Sequence, residues 1–106
     1  ISSEQVDAHS ELSLWHRETQ RELIIDRTFI DRSSRTRWIV DYKSSQPHQD
    51  EPIGDFTERE SRKYQSQLEK YRELMASYDE SKGHTVSAMR TALYFPRVAA
   101  LVEVGL

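Results

Sequence analysis

Two apolar runs each carry a carboxylate where a core residue is expected, and this narrows the possible folds more than anything else in the chain. They are Leu23-Ile24-Ile25-Asp26-Arg27-Thr28-Phe29-Ile30 and Trp38-Ile39-Val40-Asp41-Tyr42-Lys43. Both are short and rich in β-branched and aromatic residues, so both read as strands. Side chains at i and i+2 share a strand face, so Asp41 and Lys43 project together. If the two runs pair as a hairpin, Asp26 joins them. A carboxylate inside an apolar strand is costly unless a cation answers it, and a metal ion or a lysine would do so.

The rest of the chain supplies a frame for such a hairpin. Residues 10–17 alternate partially, with Leu12 and Leu14 on one face, and predict a first strand. The second strand is predicted over 21–31 and the third over 36–43, with Glu18-Thr19-Gln20 and Arg32-Ser33-Ser34-Arg35 as connections. Connections this short favour an antiparallel meander. Residues 1–9 are polar and expected to fray. Ile24, Asp26, Thr28 and Ile30 should share one face of strand two, and Ile39, Asp41 and Lys43 one face of strand three. Both strands are apolar on both sides, which predicts a sheet covered on each face.

Residues 44–56 hold two prolines and a glycine and read as a loop beside Lys43. Thr57 and Glu60 have capping-box spacing, which predicts a helix over 58–79. Its stripe is Tyr64, Gln67, Leu68, Tyr71, Leu74, Met75 and Tyr78. Gly83 ends that region. Ala88–Phe95 reads as a fourth strand and Val98–Val104 as a fifth, after a break at Pro96-Arg97. The helix is long enough for a right-handed crossover to a parallel strand. The expected fold is α/β: a mixed sheet, with an N-terminal meander and a helix crossover to further strands, in one domain over 1–106.

Composition removes several function classes. The formal net charge of −3 argues against a protein that coats nucleic acid generically. There is no cysteine, which excludes disulfides, thiolate metal sites and a thiol nucleophile. His9, His16, His48 and His84 are scattered without metal-ligand spacing, so no zinc site is expected. Glycine-rich phosphate loops and Gly-x-Ser-x-Gly are absent. No apolar run approaches a membrane span and the N-terminus is not signal-like, so no membrane partner and a cytoplasmic setting are expected.

Two carboxylates suit Mg²⁺ or Mn²⁺, which bind through one or two carboxylates and substrate phosphate. Lys43 would position or deprotonate water, or stabilise charge on a phosphoryl group. The Tyr42 carbonyl lies between Asp41 and Lys43 and would complete the metal shell. Together these residues suggest a metal-dependent phosphodiesterase. The structural alternative is a buried Asp–Lys ion pair, because Asp-x-Lys alone is a weak motif. Gln67 and Tyr71 share a helix face. They read either as a boundary residue and a core residue or as groups reaching over the sheet toward phosphate or bases. Arg27 and Lys63 are basic and default to surface charge. Trp15, Phe29 and Trp38 read as core.

Three motifs occur in order: Ile25-Asp26-Arg27, then Asp41-Tyr42-Lys43-Ser44-Ser45, then Gln67-Leu68-Glu69-Lys70-Tyr71. With Leu93-Tyr94-Phe95-Pro96 at the end, the chain resembles the RecB-like nuclease domain over about residues 10–104. This is the C-terminal module of bacterial RecB- and AddA-type helicase–nucleases, in the PD-(D/E)xK superfamily. The resemblance implies a restriction-endonuclease-like core and Mg²⁺-dependent hydrolysis of DNA, typically single-stranded, in recombination and repair. It implies metal ligation by Asp26, Asp41 and the Tyr42 carbonyl, catalysis by Lys43, and support from Gln67 and Tyr71. It also implies a helicase region in the same parent chain or complex, with this chain as a C-terminal fragment. The family has Gly two residues before its first Asp, where this chain has Ile24. The family's upstream-helix histidine has no counterpart in His9 or His16, so the isolated segment is expected to have weak activity or none. The competing expectations are a non-catalytic DNA- or protein-docking module on the same fold and, ranked last, a hydrolase of small phosphoesters.

Overall fold

The computed structural model describes residues 4–106. Its elements run β1 (Gln5–His16), β2 (Arg21–Asp31), β3 (Thr36–Tyr42), α1 (Ile53–Lys82), β4 (Ala88–Phe95), a 3₁₀ turn (Pro96–Val98) and β5 (Ala100–Val104). They form a five-stranded sheet in the order β1-β2-β3-β4-β5. β1, β2 and β3 are the expected antiparallel meander, and β4 lies parallel to β3 after the helical crossover. β5 returns antiparallel to β4. The expected mixed α/β architecture is therefore present.

Several expected boundaries move. β1 begins at Gln5, so most of the stretch expected to fray is strand; residues 1–3 lie outside the described residues. The helix begins at Ile53 rather than 58, and Pro52 is its extended N-cap, with no side-chain cap. Phe56 N–H donates to Pro52 O at 3.0 Å, which closes the first turn. Thr57 is already helical and its hydroxyl donates to Gly54 O, so Thr57 and Glu60 do not form the expected capping box. Proline suits a helix start because its missing N–H has no partner there. At the other end Gly83 takes φ 71, and Gly83 and His84 amides close on the carbonyls of Glu80 and Asp79. Only glycine enters that left-handed cap cheaply.

One face of the sheet packs on α1. Ile25, Ile39, Leu93, Phe95 and Val104 from the strands meet Phe56, Leu68, Tyr71 and Met75 from the helix. The expected cover on both faces is not found: α1 is the one α-helix among the described residues, and it covers one face. Trp38, Val40 and Tyr42 alternate onto the other face, as do Ala92, Tyr94 and Leu101, and Tyr42 and Leu101 are about half exposed. No helix of the described residues is long and apolar enough to cross a membrane.

A second correction concerns β2. Ile25 is fully buried while Ile24 is half exposed, and Thr28 and Ile30 are buried. Ile25 and Thr28 both face the helix although they are three apart, so the alternation breaks at Asp26-Arg27. β1 breaks opposite them, with Glu11 at φ 54. Ile24 thus does not share the face of Thr28 and Ile30. The break also ends the pairing of β2 with β3, whose last register pair is Arg27 with Val40.

The helix is fixed on the sheet by a buried cation. Arg37 is completely buried, and all its donors are used. Nε donates to Asp79 Oδ2 at 3.0 Å, and Nη2 reaches Asp79 Oδ1 and, at 2.6 Å, Asp7 Oδ2. Nη1 donates to Asp7 O at 3.2 Å and Thr28 Oγ1 at 3.4 Å. Arg37 thereby ties β1, β2 and β3 to the C-terminal end of α1. Burial alone would raise the Asp7 carboxyl, but hydrogen bonds from Arg37 and His9 hold it below its ordinary value. Removing one partner of a buried ion pair strands the other charges, at about 3–5 kcal/mol. Arg37→Ala is therefore predicted to lower unfolding free energy by about that amount, read by urea titration, and Arg37→Lys to recover little because an ammonium lacks the forked donors. A loss under about 1 kcal/mol in Arg37→Ala would contradict this role.

Candidate active site at the carboxyl end of the parallel strands

The site begins where β2 leaves β3. Beyond Val40, β3 has no backbone partner in β2, so the Tyr42 amide needs another acceptor. Asp26 provides it: Tyr42 N–H donates to Asp26 Oδ2 at 2.8 Å. One residue on, Lys43 N–H donates to Tyr94 O at 2.9 Å, so β4 holds the other side of the same strand end. The two bonds hold the Asp41-Tyr42-Lys43 backbone between its neighbours.

On the helix-facing side, Asp41 is buried and sits beside both Asp26 and Lys43. Burial, and then hydrogen bonding to Asp26, push the Asp41 carboxyl up to about 6, although Lys43 draws it down. Lys43 Nζ stands 2.8 Å from Asp41 Oδ2. The contact is a close charge pair rather than an aligned hydrogen bond, since the same buried oxygen has no hydrogen-bond partner. Lys43 Nζ also donates to Gln67 Oε1 at 3.0 Å and lies 3.9 Å from the centre of the Tyr64 ring. Gln67 Nε2 in turn reaches Tyr71 Oη at 3.1 Å. Burial, then the charges of Asp41 and Asp26, push the Tyr71 hydroxyl up to about 12.

Asp26, Asp41, Lys43, Gln67 and Tyr71, which the sequence singled out, thus form one connected cluster. The Tyr42 carbonyl belongs to the same strand end. Tyr64 was expected only as part of the apolar stripe, and the fold gives it a role by setting its ring under the ammonium, a stabilising arrangement for a desolvated cation. Arg27 and Lys63 do not join the cluster: Arg27 donates to Ser10 and Gln5, and Lys63 lies 5.2 Å from the Tyr64 ring. The following loop is held by Arg59, which donates through two nitrogens to Glu51, while Glu51 also accepts the His48 N–H at 2.9 Å.

A divalent metal fits this cluster. Two carboxylates are held together, Asp41 Oδ2 has the Lys43 charge beside it but no hydrogen bond, and burial and then Asp26 raise the Asp41 carboxyl. Hard cations favour such oxygen donors, and they relieve the repulsion between them.

A second group, Asp7, Asp79 and His84, also brings possible ligand atoms within 4.8 Å of one another. The sequence did not foresee it, because its members come from β1, the end of α1 and the loop that follows. His9 and His84, which looked scattered, meet here: His9 Nε2 lies 3.0 Å from Asp7 Oδ1 and His84 Nδ1 2.9 Å from Asp79 Oδ1. A metal there would have to displace Arg37, which already answers both carboxylates. The group is an ion-pair network that holds the fold.

No family model and no curated protein matches this chain.

The raised Asp41 carboxyl has a consequence for stability. Unfolded, the group ionises near 3.8; folded, near 6. The folded chain therefore holds more protons between these values, and its contribution is present below about pH 4 and lost as pH rises through 6. Asp41→Asn is predicted to stabilise the metal-free chain at pH 8 by roughly 1–3 kcal/mol, and the gain should vanish near pH 4. Unfolding midpoints at both pH values check this. Destabilisation by Asn at pH 8 would mean that the Lys43 pair outweighs burial and Asp26.

Proposed function

We propose that this chain is a metal-dependent DNA nuclease domain of the RecB-like kind, acting on single-stranded DNA in recombination and repair. The reading includes a helicase region of the same parent chain or complex as the source of the strand. The observation that carries it is the convergence of Asp26, Asp41 and Lys43 at the carboxyl end of β3, with Gln67 and Tyr71 closing over them from α1. Five residues from three motifs, distant in sequence, meet with side-chain chemistry suited to one reaction.

Asp26, Asp41 and the Tyr42 carbonyl would hold Mg²⁺, with Mn²⁺ as a substitute. Bound there, the ion would polarise a phosphodiester oxygen and lower the pKa of a bound water. The protein groups then have separate tasks. Asp26 has two: one oxygen fixes the Tyr42 amide and so sets the height of the Tyr42 carbonyl, while its carboxylate faces Asp41. Lys43, held by Gln67 and the Tyr64 ring, keeps an ammonium at the place where charge develops on phosphate. Gln67 accepts from Lys43 and reaches Tyr71, so the amide orientation, and with it the lysine position, is set from both ends.

One observation favours a second reading. Lys43 already has Asp41, Gln67 and the Tyr64 ring as partners, which is how a structural ion pair on a docking module would look. In that case Lys43→Ala would lower stability and change no turnover.

In the parent protein with Mg²⁺, Asp41→Ala and Lys43→Ala are each predicted to reduce cleavage of single-stranded DNA by at least a hundredfold. Gln67→Leu should cost about tenfold, because it loosens the lysine while leaving the charge in place. End-labelled oligonucleotide on a denaturing gel gives the readout, with circular dichroism to check folding. Unchanged cleavage in Asp41→Ala would remove the nuclease reading.

A further inference from the structure

We propose that Lys63 and Lys70, on the flank of α1 that faces β2, and Arg21, at the start of β2, form a track for the backbone phosphates of a DNA single strand entering the site. The proposal rests on the nuclease reading for the identity of the polyanion, but its own basis is separate.

The helix is divided by charge between its two flanks. Lys63, Ser66, Gln67 and Lys70 recur at three- and four-residue steps and share one flank. Leu74 and Ser77 continue it and line a hollow with Leu14 and Trp15 of β1, so this flank faces the β1–β2 half of the sheet. On the opposite flank Glu69, Arg72 and Ala76 line a hollow with Met89 of β4 and Leu106. From Lys63 to Lys70 the β2-side flank carries no carboxylate. A helix surface that only needed solvation would interleave its charges, as the outer arc does by pairing Glu58 with Arg62. Among the described residues, Lys63, Lys70 and Arg21 form no ion pair with a carboxylate.

Contacts tie this flank to the cluster. Lys43 Nζ and Lys63 Nζ lie 3.9 and 5.2 Å from the centre of the same Tyr64 ring, so Lys63 stands next to the site. Gln67, between the two track lysines, is the group that accepts from Lys43. Asp26, Lys43 and Gln67 are each partly exposed, so the cluster reaches solvent along this flank. Arg21 comes from the sheet. It shares a face of β2 with Leu23 and Ile25, which pack toward the helix, and it is itself exposed. Its charge reaches the Tyr71 hydroxyl and draws it down, against burial and the charges of Asp41 and Asp26.

A phosphate backbone is the ligand these groups fit. Lys63 and Lys70 are about 10 Å apart along the helix, so they meet different phosphates of one strand and do not clasp a single anion. Such contacts set the position of a strand without reading its bases. Lys63 would take a phosphate beside the one at Lys43, and Lys70 and Arg21 would hold the strand farther along, on either side of Tyr71. Past Lys70 the flank changes character: Glu73, Leu74 and Ser77 line a hollow with Trp15, Arg17 and Glu18, and the track ends there.

The test is fluorescence anisotropy of labelled oligo-dT with the full chain in EDTA, over a series of salt concentrations. Each phosphate contact adds about 0.7 to the slope of log affinity against log salt for a single strand. The triple variant Lys63→Gln, Lys70→Gln, Arg21→Gln should therefore lose about two from that slope and bind about tenfold or more weakly at moderate salt. Arg72→Gln, on the opposite flank, removes a charge outside the track and should leave the slope unchanged. Circular dichroism checks that the variants fold. No binding by the native chain, an unchanged slope in the triple variant, or the same loss per charge in Arg72→Gln would each overturn the track. Polyglutamate that displaces the labelled strand as well as unlabelled oligo-dT does would overturn it too, because the surface would then serve an acidic protein segment. The two readings fail separately. Strand binding that the triple variant weakens, without Mg²⁺-dependent cleavage by the parent protein, removes the nuclease reading and keeps the track. Cleavage by the parent protein with KM unmoved in the triple variant removes the track and keeps the nuclease reading.

Discussion

A buried guanidinium holds this fold together. Arg37 has no solvent exposure and is met by Asp7, Asp79 and Thr28, which belong to three other elements. Its charge can be buried only because two carboxylates and a forked set of acceptors receive it. Once they do, β1 cannot leave β2 and the C-terminal end of α1 cannot leave the sheet without stranding a charge. The apolar contacts of Phe56, Leu68, Tyr71 and Met75 supply the larger area, but Arg37 sets which rotation of the helix is allowed. That rotation is what turns Gln67 and Tyr71 toward Lys43.

The middle of the same helix works under a different constraint. There the carboxylates of Asp26 and Asp41 meet with one lysine beside Asp41, and burial disfavours the charge on Asp41. Each group holds two carboxylates and one Arg or Lys cation, but Arg37 meets both of its carboxylates through forked donors whereas Lys43 is paired with Asp41 alone. This asymmetry gives the strand end its chemical interest. The parallel pairing of β3 and β4 sets the carboxyl ends of both strands side by side, and the polar groups collect there against Tyr64, Gln67 and Tyr71 of α1.

Much of the architecture was legible because local patterns and short connections agreed. The meander, the crossover and the parallel fourth strand follow from alternation, loop length and the helical stripe. The helix start was misjudged at Thr57 because a capping-box spacing is a weak signal beside a proline that stops an extended segment. The break at Asp26 escaped notice because it comes from the paired irregularity at Glu11, and the pattern of one strand does not show its partner's. The cluster of Asp26, Asp41, Lys43, Gln67 and Tyr71 was legible from motif order. Arg37, Asp7, Asp79 and His84 were not, since they are spread over the sequence without a shared period. Tyr64 was visible only as an apolar residue, because a cation over its ring depends on tertiary packing.

The most direct test of the account is Mn²⁺ titration by calorimetry at pH 7.5, on the native chain and on Asp26→Ala and Asp41→Ala. The account predicts one site in the native chain, with binding lost in both variants while each remains folded. Mn²⁺ binding that persists in both variants, or a native chain that binds no Mn²⁺, would contradict a metal site built from these two carboxylates.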